Sequence, residues 1–228
     1  MEFWSNIGIE INKETLDIIL LTIKLAMIST LISSLIGLPI GIFLQRIDFI
    51  GKKIVVRINR TLMGLPPVVV GLTVYLLLMR RGLFGNWELL FSFQAMVIAQ
   101  TLLITPIISG MVYTTALNLA PQIRDFAKSM GANRWQTYWL LIRELKNDVF
   151  FIIITGFGRS ISEVGAVMIV GGNIQYETRT MTTAIVLMRN KGDFSEAITL
   201  GVVLLVIYFI IQSIIDFIRR NENNNENY

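Results

Sequence analysis

Apolar residues in this chain gather into long runs separated by short charged stretches, and five of the runs are long enough to cross a bilayer as helices. A hydrocarbon core of about 30 Å takes roughly 20 apolar residues at helical rise. The runs lie near residues 16–44, 61–79, 93–117, 149–171 and 197–218. No charge interrupts Thr61 to Met79, Phe91 to Leu119 or Ala197 to Ile215. The first run begins around Asp17 and Lys24, whose side chains can reach the interface, and is uncharged from Leu25 to Leu44. The fourth carries Arg159 and Glu163 well inside it. The pattern predicts an all-α integral membrane protein with five transmembrane helices. One helical membrane domain over 16–218 is flanked by a segment 1–15 and a polar tail 219–228 rich in Asn, read as disordered.

Composition agrees: 54 % of the 228 residues are hydrophobic, and the mean hydropathy of +0.63 exceeds that of a soluble domain. The chain contains neither Cys nor His. That excludes disulfides and Cys-ligated metals and removes the commonest metal ligand and general base, so no metal site or cofactor is expected. The start, Met1-Glu2-Phe3-Trp4, lacks the basic region and cleavage site of a signal peptide, so no processing is expected.

The net charge of +4 matters less than its placement. Arg46, Lys52, Lys53, Arg57 and Arg60 lie between the first two runs, and Arg124, Lys128, Arg134, Arg143 and Lys146 between the third and fourth. The other connections hold fewer basic residues, offset by Glu177, Asp193 and Glu196. Because Lys and Arg are retained on the cytoplasmic side, the expected topology is a multi-pass protein of the cell membrane with its N-terminus outside and its C-terminus inside. No internal repeat or pair of matching interrupted helices is evident. Five helices enclose a path poorly alone, which favours a homodimer.

Within the loop 121–144, Pro121 can open a helix, and Ile123, Phe126, Ala127 and Met130 follow at helical spacing as one face. Gly131 can end it in a left-handed turn, and Asn133 with Gln136 can start another helix presenting Trp135, Tyr138, Trp139 and Ile142. Periodicity alone fits an amphipathic helix on lipid equally well. A DNA-binding helix-turn-helix has a similar outline, but one tethered this close to two spans could scarcely enter a major groove, so no nucleic acid is expected.

The order Asp125-Phe126-Ala127 followed by Gly131-Ala132 resembles the "EAA" loop of ABC-importer permeases: Glu-Ala-Ala, three residues, then Gly. Asp125 matches the acidic residue, Ala127 the second alanine and Gly131 the glycine. Phe126 replaces the first alanine, and Glu144 stands where many members have proline. The resemblance implies a type I importer permease fold, five core helices and a short cytoplasmic coupling helix that docks into an ATPase subunit. The implied coupling residues are Asp125, Phe126, Ala127, Met130, Gly131 and Ala132.

In the second run, Pro66 and Pro67 remove two amide donors in the string Gly64 to Gly71, which reads either as a packing kink or as a break beside a cavity. The string is similar to the Leu-Pro-Pro-Val-Val-Gly segment of sulfate, molybdate and tungstate permeases, whose equivalent helix lines the pathway. In the fourth run, Arg159 and Glu163 are four apart and would share a helix face. They either neutralise each other as a packing pair or contribute to an anion-friendly lining. The segment Gly158 to Ile174, especially Glu-Val-Gly-Ala-Val-Met-Ile-Val-Gly-Gly-Asn from Glu163, most resembles tungstate permeases. The implied pathway residues are Pro66, Pro67, Val68, Gly71, Arg159, Ser160, Glu163 and Gly165.

These resemblances imply the permease subunit of an importer for tungstate, or alternatively molybdate or sulfate. Its expected partners are a cytoplasmic ABC ATPase, an extracytoplasmic substrate-binding protein, a second copy of the chain and membrane lipid. The chain has no Gly-x-x-x-x-Gly-Lys-Ser/Thr phosphate loop and is expected to hydrolyse nothing itself. A channel or ion-coupled transporter is a remoter reading, and so is a membrane-embedded enzyme, for which the sequence offers few catalytic side chains.

Overall fold

The structure is a computed structural model that describes residues 13–225. Most of the expected outer segment and the last three residues of the expected tail lie outside the described residues. Among the described residues, all regular structure is helical: α1 (Lys13–Arg46), α2 (Lys52–Met63), α3 (Pro67–Leu78), a 3-10 turn (Gly85–Trp87), α4 (Phe93–Ser129), α5 (Arg134–Glu144), α6 (Lys146–Ile161), α7 (Gly165–Gly171), α8 (Met181–Lys191) and α9 (Phe194–Asn225).

By length and composition, Lys13–Arg46, Phe93–Ser129 and Phe194–Ile214 can each cross a membrane. The second run is broken near its start and the fourth inside it: α2, which takes in Lys52, Lys53, Arg57 and Arg60 of the expected basic loop, and α3 are separated at 64–66, and α6 and α7 at 162–164. Each pair passes as a membrane span only when its two helices are counted together. The 12 residues of α3 would reach only about 18 Å at helical rise. The break follows from proline chemistry, since Pro66 ends the continuity and Pro67 opens α3 at the position where a missing amide costs nothing.

Three helices differ from expectation. Pro121 does not start a new helix but lies inside α4. The apolar stripe runs on through it, with Ala116 and Ala120 packed against Leu141 and Leu145, so tertiary packing outweighs the local penalty of proline. The last helix continues past the expected end near 218 to Asn225. Between the last two runs, where sequence pattern gave only a connection, Thr180 caps α8 in a reciprocal box with Thr183.

The chain divides into two compact units. In the first (13–26, 67–99 and 161–225), Ile18, Met181, Ala184 and Leu200 form a buried apolar cluster. Thr22 donates to the Ile18 carbonyl at 2.7 Å and accepts from the Met181 amide at 2.9 Å, tying α1 to the start of α8. Glu14 accepts from Arg179 at 2.8 Å and from Gln175 at 2.9 Å. Along α9, Ile198, Leu205, Phe209 and Ile214 are exposed.

In the second unit (27–66 and 100–160), α1 and α4 approach closely enough that a side chain at Gly41 would come within 2.6 Å of the Ser109 carbonyl oxygen. Small residues permit such contact between membrane helices. Ser109 donates to Asn59 at 3.0 Å, which links α2 to α4. Gln100 donates to the Ser160 carbonyl at 2.9 Å and accepts from the Ser160 hydroxyl at 3.0 Å.

Candidate functional site

The loop expected to couple the chain to a partner is the C-terminal end of α4 and the turn after it. Gly131 has φ +71°, a conformation open to glycine at no steric cost. The Ala132 amide donates to the Ala127 carbonyl at 2.9 Å and the Gly131 amide to the Lys128 carbonyl at 3.0 Å, the two bonds of a Schellman ending. Asn133 then accepts from the Trp135 and Gln136 amides while Gln136 returns a side-chain bond to the Asn133 amide. One helix stops and the next starts within a few residues, at a corner closed by backbone and side-chain hydrogen bonds.

The apolar face predicted over this stretch is divided by the fold. Ala127 is 1 % exposed, whereas Phe126 is 59 % and Met130 72 % exposed. Ile123 is half-buried, and Asp125 and Lys128 are exposed. Two large apolar side chains flanked by charges thus stand out at the corner.

The residues expected to line a path fall in both units. Pro67, Val68, Gly71, Glu163 and Gly165 belong to the first unit, and Pro66, Arg159 and Ser160 to the second. In the first unit α3 and α7 meet through glycine: a Cβ at Gly71 would lie 2.7 Å from the Ala166 α-carbon, and one at Gly165 would lie 2.8 Å from a Val68 methyl. Both glycines therefore serve close approach of two half-helices.

Glu163 corrects the expectation of a shared helix face with Arg159. Helix α6 stops at Ile161 and Glu163 lies in the break before α7, so helical i, i+4 spacing does not apply. Glu163 is 5 % exposed. Its carboxylate accepts from the Ala166 amide at 3.3 Å and its carbonyl accepts from the Thr182 hydroxyl at 2.7 Å. The break thus supplies acceptors to the first turn of α7 and to the buried α8. Arg159 is exposed, and Ser160 is buried on Gln100.

Sequence reasoning missed Gln100 and the Thr178–Thr183 stretch. Thr178 donates to the Gly171 carbonyl and accepts from the Ile174 amide at 2.9 Å, closing the turn after α7. The Thr-x-x-Thr spacing of 180 and 183 was the legible signal. Nothing in the uncharged third run marks Gln100 beyond its polarity. Among the described residues, no group of His, Cys, Asp or Glu could hold a metal ion.

Comparison with known proteins bears on what such a chain does. Residues 37–222 match the family described as binding-protein-dependent transport system inner membrane component. The chain is 41 % identical over 207 residues, 91 % of each chain, to the tungstate uptake system permease protein TupB of Peptoclostridium acidaminophilum. It is 39 % identical over 181 residues to a probable anion ABC transporter permease protein of Haloferax volcanii, covering 77 % of this chain and 78 % of that one. Its fold is similar to a chain of a bacterial ABC transporter involved in import of the acidic polysaccharide alginate, with a TM-score of 0.72 at 17 % identity, covering 92 % of this chain and 80 % of that one. A family match over most of its length and a relative 41 % identical over nearly all of both chains agree, and the chain belongs to the inner-membrane components of binding-protein-dependent transport systems.

Proposed function

We propose that this permease subunit carries tungstate, or a closely related oxyanion such as molybdate or sulfate, into the cell as one of two identical copies lining a central path. Membership of the family makes the chain a non-catalytic membrane subunit, with ATP hydrolysis performed by a separate ATPase and substrate delivered by a binding protein. Tungstate is preferred because the tungstate permease of Peptoclostridium acidaminophilum is 41 % identical over nearly the whole of both chains. Five spans per copy follow if each broken pair is one crossing. The basic first half of the α2–α3 pair and the basic stretch 121–146 then lie toward the cytoplasm, with the N-terminus outside.

Exposure of Phe126 and Met130, one turn apart at the end of a helix closed by glycine, carries the coupling role. A corner held by two Schellman bonds and a capping box is stiff enough to transmit a displacement. ATP-driven closure of the partner then favours one membrane conformation through its differential contacts there. Asp125, Phe126, Ala127, Met130, Gly131 and Ala132 make up the coupling corner. Pro66, Pro67, Val68, Gly71, Arg159, Ser160, Glu163 and Gly165 surround the two helix breaks, where freed backbone groups suit a polar path.

The test is reconstitution of the chain with its ATPase and binding protein in proteoliposomes. Tungstate uptake that requires ATP and both partners supports the proposal. Uptake that continues without ATP points to a channel or ion-coupled carrier. A complex that imports molybdate or sulfate but ignores tungstate retains the architecture and overturns the preferred substrate.

A further inference from the structure

Against the coupling corner, which contributes Ala132 to its lining, the second unit holds a cavity of about 620 Å³ whose basic side chains the transport role does not use. Arg46, Arg124, Lys128 and Arg134 line it together with Thr137 and Tyr138, and no carboxylate is among its lining residues. The Arg46 guanidinium lies 4.1 Å from the Tyr138 ring centroid and 5.6 Å from that of Trp135. That stacking holds its planar donor fork in place. Among the described residues, no salt bridge engages Arg46, Arg124, Lys128 or Arg134. The nearby Asp48 carboxylate, which feels Arg124, is bonded instead to Lys52 at 2.8 Å. The α5 amides are also engaged, since Asn133 accepts from Trp135 and Gln136.

Four like charges converging on one cavity repel one another unless an anion occupies it. Position suggests which anion. Arg46 is the last residue of a membrane-length helix, and Trp135 and Trp139 are exposed on α5, as expected at headgroup depth. Basic pockets between helices at that depth suit phosphate headgroups, and arginine forks match phosphate geometry. We propose that this cavity binds a phosphate group, presented by an anionic phospholipid.

Thermal unfolding of the full chain in neutral detergent tests the assignment, with added phosphatidylglycerol, phosphatidylcholine or inorganic phosphate at matched ionic strength. Phosphatidylglycerol is expected to raise Tm by several degrees in a saturable manner while phosphatidylcholine does not, and Arg124→Gln with Lys128→Gln is expected to weaken the response at least tenfold. Arg57→Gln with Arg60→Gln, equal in charge but outside the cavity, is expected to retain it. A pocket-dependent response to inorganic phosphate at least as strong as to the lipid moves the source to a free anion and overturns the lipid assignment. No response to either probe, or equal weakening in both double variants, overturns the site. Both tested residues are exposed, and Arg124→Lys, which keeps charge without the fork, is expected to restore part of the response. Loss of ATP-driven uptake would not affect this readout, so the site and the transport proposal fail independently.

Discussion

Gly71 lies against Ala166 so closely that any side chain on it would come within 2.7 Å of the Ala166 α-carbon. The obstacle is backbone, which cannot rotate aside as a side-chain tip can. Gly71→Ala is therefore expected to cost about 1–3 kcal/mol through overpacking between α3 and α7. Gly165→Ala meets a Val68 methyl at 2.8 Å, part of a movable side chain, and should cost less. Thermal unfolding in detergent with Gly64→Ala as control, where the nearest atom is 3.7 Å away, would read the order. Equal midpoints for all three would contradict the close packing of α3 and α7.

Gly131 tests the corner without steric interference, because nothing lies within 4 Å of an added Cβ. Gly131→Val opposes only the left-handed backbone, a cost of about 1–2 kcal/mol for a residue with a Cβ and more for a branched one. Gly131→Asn should be tolerated, since asparagine visits that conformation readily. The expected outcome is normal insertion of both variants, with uptake lost in the valine form and largely kept in the asparagine form. Full uptake by the valine form would remove the turn from the coupling mechanism.

The reciprocal Gln100–Ser160 bond joins α4 to α6 inside the second unit. Ser160→Ala leaves the Gln100 amide oxygen without its donor and should cost about 1–2 kcal/mol, within the range of interhelical bonds in membranes. Adding Gln100→Leu should recover part of that loss, because both buried polar groups are then gone. A double-mutant cycle on Tm gives the coupling directly. Strict additivity would mean the bond contributes nothing.

At the break before α7, Glu163→Gln keeps an acceptor for the Ala166 amide, whereas Glu163→Ala removes it. The alanine variant is expected to lose about 1 kcal/mol of stability, and the glutamine variant less. Arg159→Gln, at an exposed position, is expected to lower tungstate uptake more than it lowers Tm, with Arg159→Lys retaining more uptake. An unchanged transport rate in Arg159→Gln would take this residue out of the pathway.

At the start of α2, the Lys52 ammonium bonds the carboxylate of Asp48 in the loop after α1 and holds its pKa below the usual 3.8. A depressed folded-state value contributes stability above the unfolded pKa, and that contribution fades as pH falls through the folded value. Since the carboxylate is fully solvated, the effect on stability is expected to be too small to unfold the chain. Lys52→Ala should return the Asp48 titration to the ordinary range, followed by carboxyl carbon chemical shift. An unmoved titration would show that the pair does not form.

The all-helical character of the apolar runs and the glycine turn at 131 were legible in the sequence, because each depends on local properties. Burial in hydrocarbon needs apolar length, a left-handed ending needs glycine, and the Asn133–Gln136 cap needs only a spacing of three. Packing decided the rest. Pro121 continues a helix because Ala116 and Ala120 are held by Leu141 and Leu145, and Phe126 and Met130 are left outside while Ala127 is buried. Helical periodicity assigns residues to a face but does not say how much of that face another helix covers. Likewise Glu163 left the helix that its spacing from Arg159 suggested, because the acceptors required at the start of α7 and by Thr182 are created only when the broken helices fold together.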